Sequence, residues 1–176
     1  MRAAVLTLLF ATVAVPLHAQ SFKTPDVTNP PPRLTMVNLS GPRFGVTALS
    51  QGVVDKLREQ SIEVGSNITQ FGWQFEKQFY SKAGGVAAVH EWVVLLGGLE
   101  QGVALPSLNW MVGLRSRSGM EFGIGPNVTP AGVALVLAGG MTFRSGALNV
   151  PVTFAVVPSK VGTRVSVLTG FNMRGR

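Results

Sequence analysis

The chain has 176 residues, no cysteine, and 15 lysines and arginines against 8 aspartates and glutamates, a formal net charge of +7. Without cysteine, the chain is not a disulfide-rich extracellular module and has no His/Cys metal cluster. The basic residues are scattered singly rather than gathered in a helix or run, so the charge does not indicate nucleic acid as a partner. Attraction to an anionic lipid or lipopolysaccharide surface fits such a chain better.

The first segment has the pattern of a secretory signal peptide. Residues 1–19 contain one basic residue, Arg2, then an apolar run, then Ala19, a small residue that suits cleavage. The run is shorter than the roughly 20 apolar residues that a spanning helix needs, and Pro16 lies at its end. We therefore expect an exported protein.

The remainder divides into a tether and one domain. Residues 20–40 are rich in proline and poor in apolar residues, which predicts an extended periplasmic tether. Residues 41–176 form the predicted barrel domain, which Gly, Ser, Asn and Pro divide into strand-like pieces. The eight predicted strands are 42–49, 67–80, 87–97, 106–116, 120–127, 132–144, 148–157 and 163–174.

The first connection contains a predicted helix. Val53, Val54 and Leu57 share one helical face, and charged residues lie mostly off it. We expect this short amphipathic helix to cap one mouth of the barrel; contact with a membrane surface or a partner is the alternative.

Alternation separates an aromatic face of the strands from a polar face. In the segment 68–80, the glutamines and Glu76 occupy even-numbered positions, and most of the aromatic residues occupy odd-numbered positions. In a soluble sheet the apolar face points into a core, whereas in a membrane barrel it points to lipid. In the membrane interpretation, the lipid-facing or girdle aromatics are Phe71, Trp73, Phe75, Phe79, Trp110, Phe122, Phe154 and Phe171.

The polar face predicts a lumenal charge network. Its members are Arg43, Glu76, Glu91, Arg115, Glu121, Arg144 and Arg164. Charges in a dry core are costly unless each is paired. An eight-stranded barrel has an interior that side chains just fill, so these residues would form a plug with trapped water rather than an open pore.

Register and connection length support a barrel. Pairing Arg144 with Asn149 leaves a two-residue turn that begins with Gly146, and pairing Arg115 with Glu121 brings opposite charges together. The even-numbered connections are short, whereas the first, third and fifth are longer, as a barrel with both termini in the periplasm requires. The sequence therefore predicts an all-β fold, an antiparallel up-and-down transmembrane β-barrel of about eight strands with one short helix in the first loop.

Two features depart from the simple pattern. The third strand is apolar on both parities, and placing Glu91 inside makes Val89, Val93 and Leu95 lumenal. Pro126 and Pro151 fall inside strands, a position tolerated at a bulge or a strand end.

Several segments resemble those of a known group of proteins. They are "TQFGWQFEKQF" from Thr69, "HEWVVLLGGLEQGVALPSLNWMVGLRS", "EFGIGPN", "TFRSGALNVPVTFAVVPSK" and "GTRVSVLTGFN". The group consists of small exported bacterial proteins of unassigned function described as outer-membrane β-barrels, and the likeness runs from about Ser40 onward. It implies export and a barrel-like fold and brings no catalytic residues. The pattern is also similar to that of the eight-stranded outer-membrane proteins, in strand architecture only.

We expect a monomeric, non-enzymatic protein of the outer membrane, without cofactor or metal, that acts in envelope integrity, surface interaction or limited passage of small solutes. One alternative is a soluble periplasmic β-barrel that binds an apolar ligand in an aromatic core. A second is a lipid-active outer-membrane enzyme that uses His90. Adjacent strand residues point to opposite faces, however, so Glu91 would be unable to orient His90.

Overall fold

The computed structural model describes residues 38–81 and 85–173, and the predicted signal peptide and most of the predicted tether lie outside these ranges. The described residues form, in chain order, β1 Gly41–Leu49, α1 Gln51–Arg58, β2 Asn67–Ser81, β3 Val86–Gly97, a 3₁₀ turn Leu99–Gln101, β4 Leu105–Ser116, β5 Met120–Thr129, β6 Gly132–Ser145, β7 Leu148–Ser159, β8 Gly162–Gly170 and β9 Asn172–Met173. In this part of the chain, no helix has the length and apolar character to cross a membrane.

The strands close on themselves. Each of β1 to β8 pairs antiparallel with its neighbour in the chain, and β1 also pairs with β8. The result is an antiparallel barrel of eight strands, as predicted. The predicted eighth strand is not continuous, because it breaks at Phe171 and resumes as β9, which pairs with β7. Pro151 of β7 lies opposite this break. Proline has no backbone N–H to donate, so the missing partner at the break costs no hydrogen bond from this residue.

The connections define two ends of the barrel. We call the end where β1 begins and β8 ends the terminal end, and the opposite end the loop end. The loop end carries residues 50–66, with α1, and residues 98–104. The expectation of a long fifth connection is wrong, since Thr129 pairs with Gly132 and only residues 130–131 lie between β5 and β6.

The predicted hairpin registers are confirmed. Arg144 lies opposite Asn149, and Arg115 lies opposite Glu121. Gly146 has a φ of 58°, the positive value that the first central residue of a type II′ turn requires. Two irregularities interrupt the ladders: the β2–β3 register shifts between Gln78 and Tyr80, and the β4–β5 pairs skip Pro126, which cannot donate a hydrogen bond.

The charged face of the strands is the inner face. Arg115 is only 2% exposed, and Arg43, Glu76 and Glu91 are also buried. Phe75 is 53% exposed, and the other predicted lipid-facing aromatics are exposed as well: Phe71, Trp73, Phe79, Trp110, Phe122, Phe154 and Phe171. The described part of the barrel thus presents its aromatic side chains outward, and they do not form an internal core.

Inward-facing glycines let neighbouring strands approach closely. A Cβ atom on Gly72 would lie 1.9 Å from the Val94 carbonyl oxygen. A Cβ atom on Gly45 would lie 2.0 Å from the Val167 carbonyl oxygen. Because only glycine permits such an approach, the strands can bend inward at these points, which a small closed barrel requires.

We expect Gly72→Ala to destabilise the barrel by about 1–3 kcal/mol, the range for overpacked sites, because the Val94 carbonyl must move. Gly139→Ala is the matched control, since its Cβ would meet nothing closer than the Glu121 carbonyl oxygen at 3.8 Å. Urea unfolding followed by tryptophan fluorescence in detergent micelles measures both. Equal losses in the two variants would contradict the argument from backbone approach.

Candidate functional site in the barrel interior

The interior contains three groups of side chains. The charged cluster consists of Arg115, Glu76, Glu91 and Glu121. The middle cluster is aliphatic and consists of Val93, Leu95, Met111, Val136, Ala138, Ala155, Val157 and Leu168. The cap cluster consists of Leu49, Val53, Val54, Leu57, Val64, Ile68 and Leu105.

Arg115 is the centre of the charged cluster. Its Nη1 donates to Glu76 Oε1 at 2.6 Å, and its Nη2 donates to Glu76 Oε2, so the guanidinium and the carboxylate form a two-bond fork. Its Nε donates to Glu121 Oε1 at 2.6 Å. Glu91 Oε1 lies 3.7 Å from Arg115 Nη2. One buried cation on β4 therefore joins carboxylates from β2, β3 and β5.

Arg43 interacts electrostatically with this cluster, but its hydrogen bonds go to neutral acceptors. Its Nε donates to Gln74 Oε1 at 3.0 Å, and its Nη2 donates to the Leu39 carbonyl oxygen at 2.6 Å. The Leu39 residue is 1% exposed, so the chain just before β1 is buried at the terminal end. Leu39, which was predicted to lie in the tether of residues 20–40, therefore packs as part of the barrel.

The helix α1 covers the loop end. Its apolar face, Val53, Val54 and Leu57, is buried in the cap cluster. Its polar face is exposed and carries ion pairs, such as Lys56 Nζ with Glu59 Oε2 at 2.8 Å. The prediction that this helix caps one mouth of the barrel is confirmed.

The 3₁₀ turn is held to β2 through Glu100. Its carboxylate accepts hydrogen bonds from the Thr69 backbone N–H, at 2.8 Å, and from the Thr69 hydroxyl. These bonds lower the pKa of Glu100 to about 2. Since the folded pKa is depressed, the stabilisation from these bonds is fully present above the unfolded pKa and is lost as the pH falls through about 2.

Two arginines of the predicted network lie apart from the charged cluster. Arg164 is buried near the loop end, where its Nη1 donates to the Thr129 hydroxyl. Arg144 is exposed, which differs from the expected lumenal position. Arg144 is the penultimate residue of β6, beside the turn to β7, where solvent reaches it.

His90 and Glu91 do not form a catalytic pair. Glu91 is buried inside, whereas the His90 ring lies outside, 6.2 Å from the ring of Phe79. Within residues 38–81 and 85–173, no group of three or more His, Cys, Asp or Glu side chains could hold a metal ion.

Sequence reasoning missed the aliphatic part of the interior beyond the third strand. A cavity of about 90 Å³ lies inside the barrel, lined by members of the middle and cap clusters and by polar residues such as Asn127 and Arg164. The signal was the small and aliphatic residues at inward positions of β6 and β7, namely Val136, Ala138, Ala155 and Val157. An interior that is charged only in part leaves room for this cavity.

The fold and the site define a closed eight-stranded antiparallel β-barrel with an apolar exterior and an interior that is part charged and part aliphatic. Comparisons of the chain with protein-family models, with curated proteins and with solved structures find no match.

We expect Arg115→Met to destabilise the barrel by about 3–5 kcal/mol, because it leaves two buried carboxylates and the half-buried Glu121 without their cation. Urea unfolding in detergent micelles measures the loss. Adding Glu76→Gln should recover part of it, because one of the unpaired charges is then removed.

The matched control is Arg144→Met, which alters an exposed arginine and should change stability by less than about 0.5 kcal/mol. If Arg115→Met were as mild as Arg144→Met, the charged cluster would not stabilise the fold.

Proposed function

We propose that this chain is a monomeric, non-enzymatic outer-membrane β-barrel protein that acts in envelope integrity or surface interaction. One observation carries the proposal: the outward-facing side chains are apolar around the barrel, whereas the strand charges are largely inside. Thirty large apolar side chains are exposed among the described residues. Monomeric soluble proteins rarely expose continuous apolar patches of this kind, and lipid would cover them.

The extent of the apolar surface fits a bilayer. On β6 the outward positions from Val133 to Phe143 are apolar or glycine, and on β4 those from Leu108 to Leu114 are apolar. About ten residues at about 3.3 Å each, tilted by about 40°, span roughly 25 Å, which is the apolar height of outer-membrane barrels. Lys77 faces outward opposite His90, and its long side chain can reach the interface.

The two ends of the barrel favour a structural role over solute passage. Leu39 is buried at the terminal end and α1 covers the loop end, so within residues 38–81 and 85–173 neither mouth is left fully open. The long first connection and the 3₁₀ turn lie together at the loop end, which is the surface available for contacts. The net charge of +7 suits an environment of anionic lipid or lipopolysaccharide.

The direct test is fractionation. The full chain is expressed with its N-terminal segment in a Gram-negative host, outer membranes are separated from soluble periplasm, and unboiled and boiled samples are compared on a gel. We expect recovery in the outer membrane and a mobility that changes on boiling. Recovery in the soluble periplasm without such a shift would overturn the proposal and favour the soluble ligand-binding barrel.

A substitution pair tests lipid contact itself. Phe75, near the middle of β2, and Phe143, near the end of β6, are similarly exposed at 53% and 57%. In phospholipid vesicles we expect Phe75→Arg to cost up to about 4 kcal/mol and Phe143→Arg only about 0–1 kcal/mol, because the cost of a charge depends on its depth in the bilayer. In water both changes would be nearly neutral, so equal and small effects in vesicles would contradict the membrane location.

A further inference from the structure

The exposed charges of the barrel are divided unevenly between its two ends. At the loop end they are mixed in sign, with four acidic and three basic residues that are exposed or half-buried: Asp55, Glu59, Glu63, Glu100, Lys56, Arg58 and Lys160. The terminal-end half of the barrel carries only basic residues at exposed positions among the described residues: Lys77, Arg117 and Arg144. The other described acidic residues belong to the charged cluster inside the barrel.

The three exposed basic residues of the terminal-end half, Lys77, Arg117 and Arg144, are called the basic rim below. None of them forms an ion pair with another residue in the described part of the chain. At the loop end, by contrast, α1 carries ion pairs between its own acidic and basic side chains. Attraction of an outside anion depends on the local balance of charge, and at the basic rim that balance is positive.

The members of the basic rim lie at separate places around the barrel. Lys77 lies on β2, Arg117 in the turn between β4 and β5, and Arg144 at the end of β6. The Arg117 side chain lies across the β2–β3 connection, since a Cβ atom on Gly85 would be 3.2 Å from Arg117 Nε. Charges that are spread around a rim do not converge on one small anion. They fit a layer of anionic groups that surrounds the barrel.

Each member of the basic rim has an exposed apolar neighbour within three residues along the chain: Phe79, Leu114 and Phe143, in the same order. At a membrane interface, acyl chains cover apolar side chains while long basic side chains reach the headgroup level. An acidic soluble partner would meet the charges but leave the apolar neighbours uncovered. The pairing of basic and apolar side chains therefore favours a lipid as the partner.

We infer that the basic rim binds the phosphate groups of anionic phospholipids. The Lys77 ammonium and the guanidinium groups of Arg117 and Arg144 donate charge-assisted hydrogen bonds to phosphate oxygens, and the apolar neighbours contact the acyl chains. With both termini in the periplasm, the terminal end lies in the inner leaflet of the outer membrane, opposite the leaflet that contains lipopolysaccharide. The inference rests on the proposed function, because it requires a bilayer around the barrel.

The test measures which lipid contacts the barrel. The purified full chain is placed in phosphatidylcholine vesicles that contain either brominated phosphatidylglycerol or, in parallel, brominated phosphatidylcholine. Trp73, Trp92 and Trp110 are exposed on the outer face, so bromine on the acyl chains of a bound lipid quenches their fluorescence. We expect phosphatidylglycerol to associate about fivefold more strongly, the equivalent of one basic residue near an anionic lipid surface, and the preference to fall at high salt.

Two triple variants locate the site. The first replaces the basic rim and should reduce the preference to less than about twofold: Lys77→Gln, Arg117→Gln and Arg144→Gln. The matched control removes as many positive charges from the loop end and should leave the preference unchanged: Lys56→Gln, Arg58→Gln and Lys160→Gln. The boiling-dependent gel shift checks that each variant is folded.

Cysteine labelling assigns the leaflet. The chain has no cysteine, so Ser118→Cys in the β4–β5 turn and Ser66→Cys in the first connection each introduce a single thiol at an exposed position. A membrane-impermeant maleimide is added to intact Gram-negative cells that express each variant. We expect labelling of Ser66→Cys, and labelling of Ser118→Cys only after the outer membrane is opened.

Four results would overturn the inference. They are equal association of the two lipids, an equal loss of preference in both triple variants, a preference that inorganic phosphate abolishes at constant ionic strength, and labelling of Ser118→Cys in intact cells. The last would turn the basic rim toward lipopolysaccharide. Each is scored in a barrel that is recovered in the outer membrane and shifts on boiling, so failure of this inference is distinguishable from failure of the proposed function.

Discussion

Closing eight strands into a barrel leaves an interior that only side chains can fill, and the rest of this structure depends on that constraint. The inner faces carry arginines and glutamates, which are tolerable there only when they satisfy one another. Arg115 meets this requirement for three carboxylates at once, through a fork to Glu76 and contacts with Glu121 and Glu91. Because Arg115 and its three partners lie on four neighbouring strands, β2 to β5, the electrostatic requirement also ties together this part of the barrel wall.

Charge in the interior is balanced in total but not locally. Among the described residues, the buried Glu76 and Glu91 and the half-buried Glu121 face three buried arginines, yet all three glutamates gather around Arg115. The middle cluster supplies only aliphatic side chains, and Arg164 is left with a hydroxyl as its protein partner. This uneven distribution separates the charged cluster from the largely aliphatic remainder of the interior.

The parts of the fold that local chemistry determines could be predicted from the sequence. Alternation identified the two faces of most strands, although not of the third, and Gly146 identified a tight hairpin together with its register. The break at Phe171, the exposure of Arg144 and the burial of Leu39 could not be predicted, because they depend on how far each strand extends past its neighbours once β1 meets β8. For the same reason, the sequence placed charges on one face but could not say that the carboxylates gather around Arg115.

The distribution of apolar groups has a consequence for what stabilises the barrel. Inside, most of the hydrophobic burial lies in the middle and cap clusters, whose members are mostly Val, Leu and Ala. The larger residues, including Trp73, Trp92 and Trp110, lie outside. Aromatic side chains have the most apolar area to remove from water, so much of the available hydrophobic free energy depends on the medium around the barrel. In the outer-membrane location proposed above, a bilayer would supply that medium and leave the interior free for charge pairing.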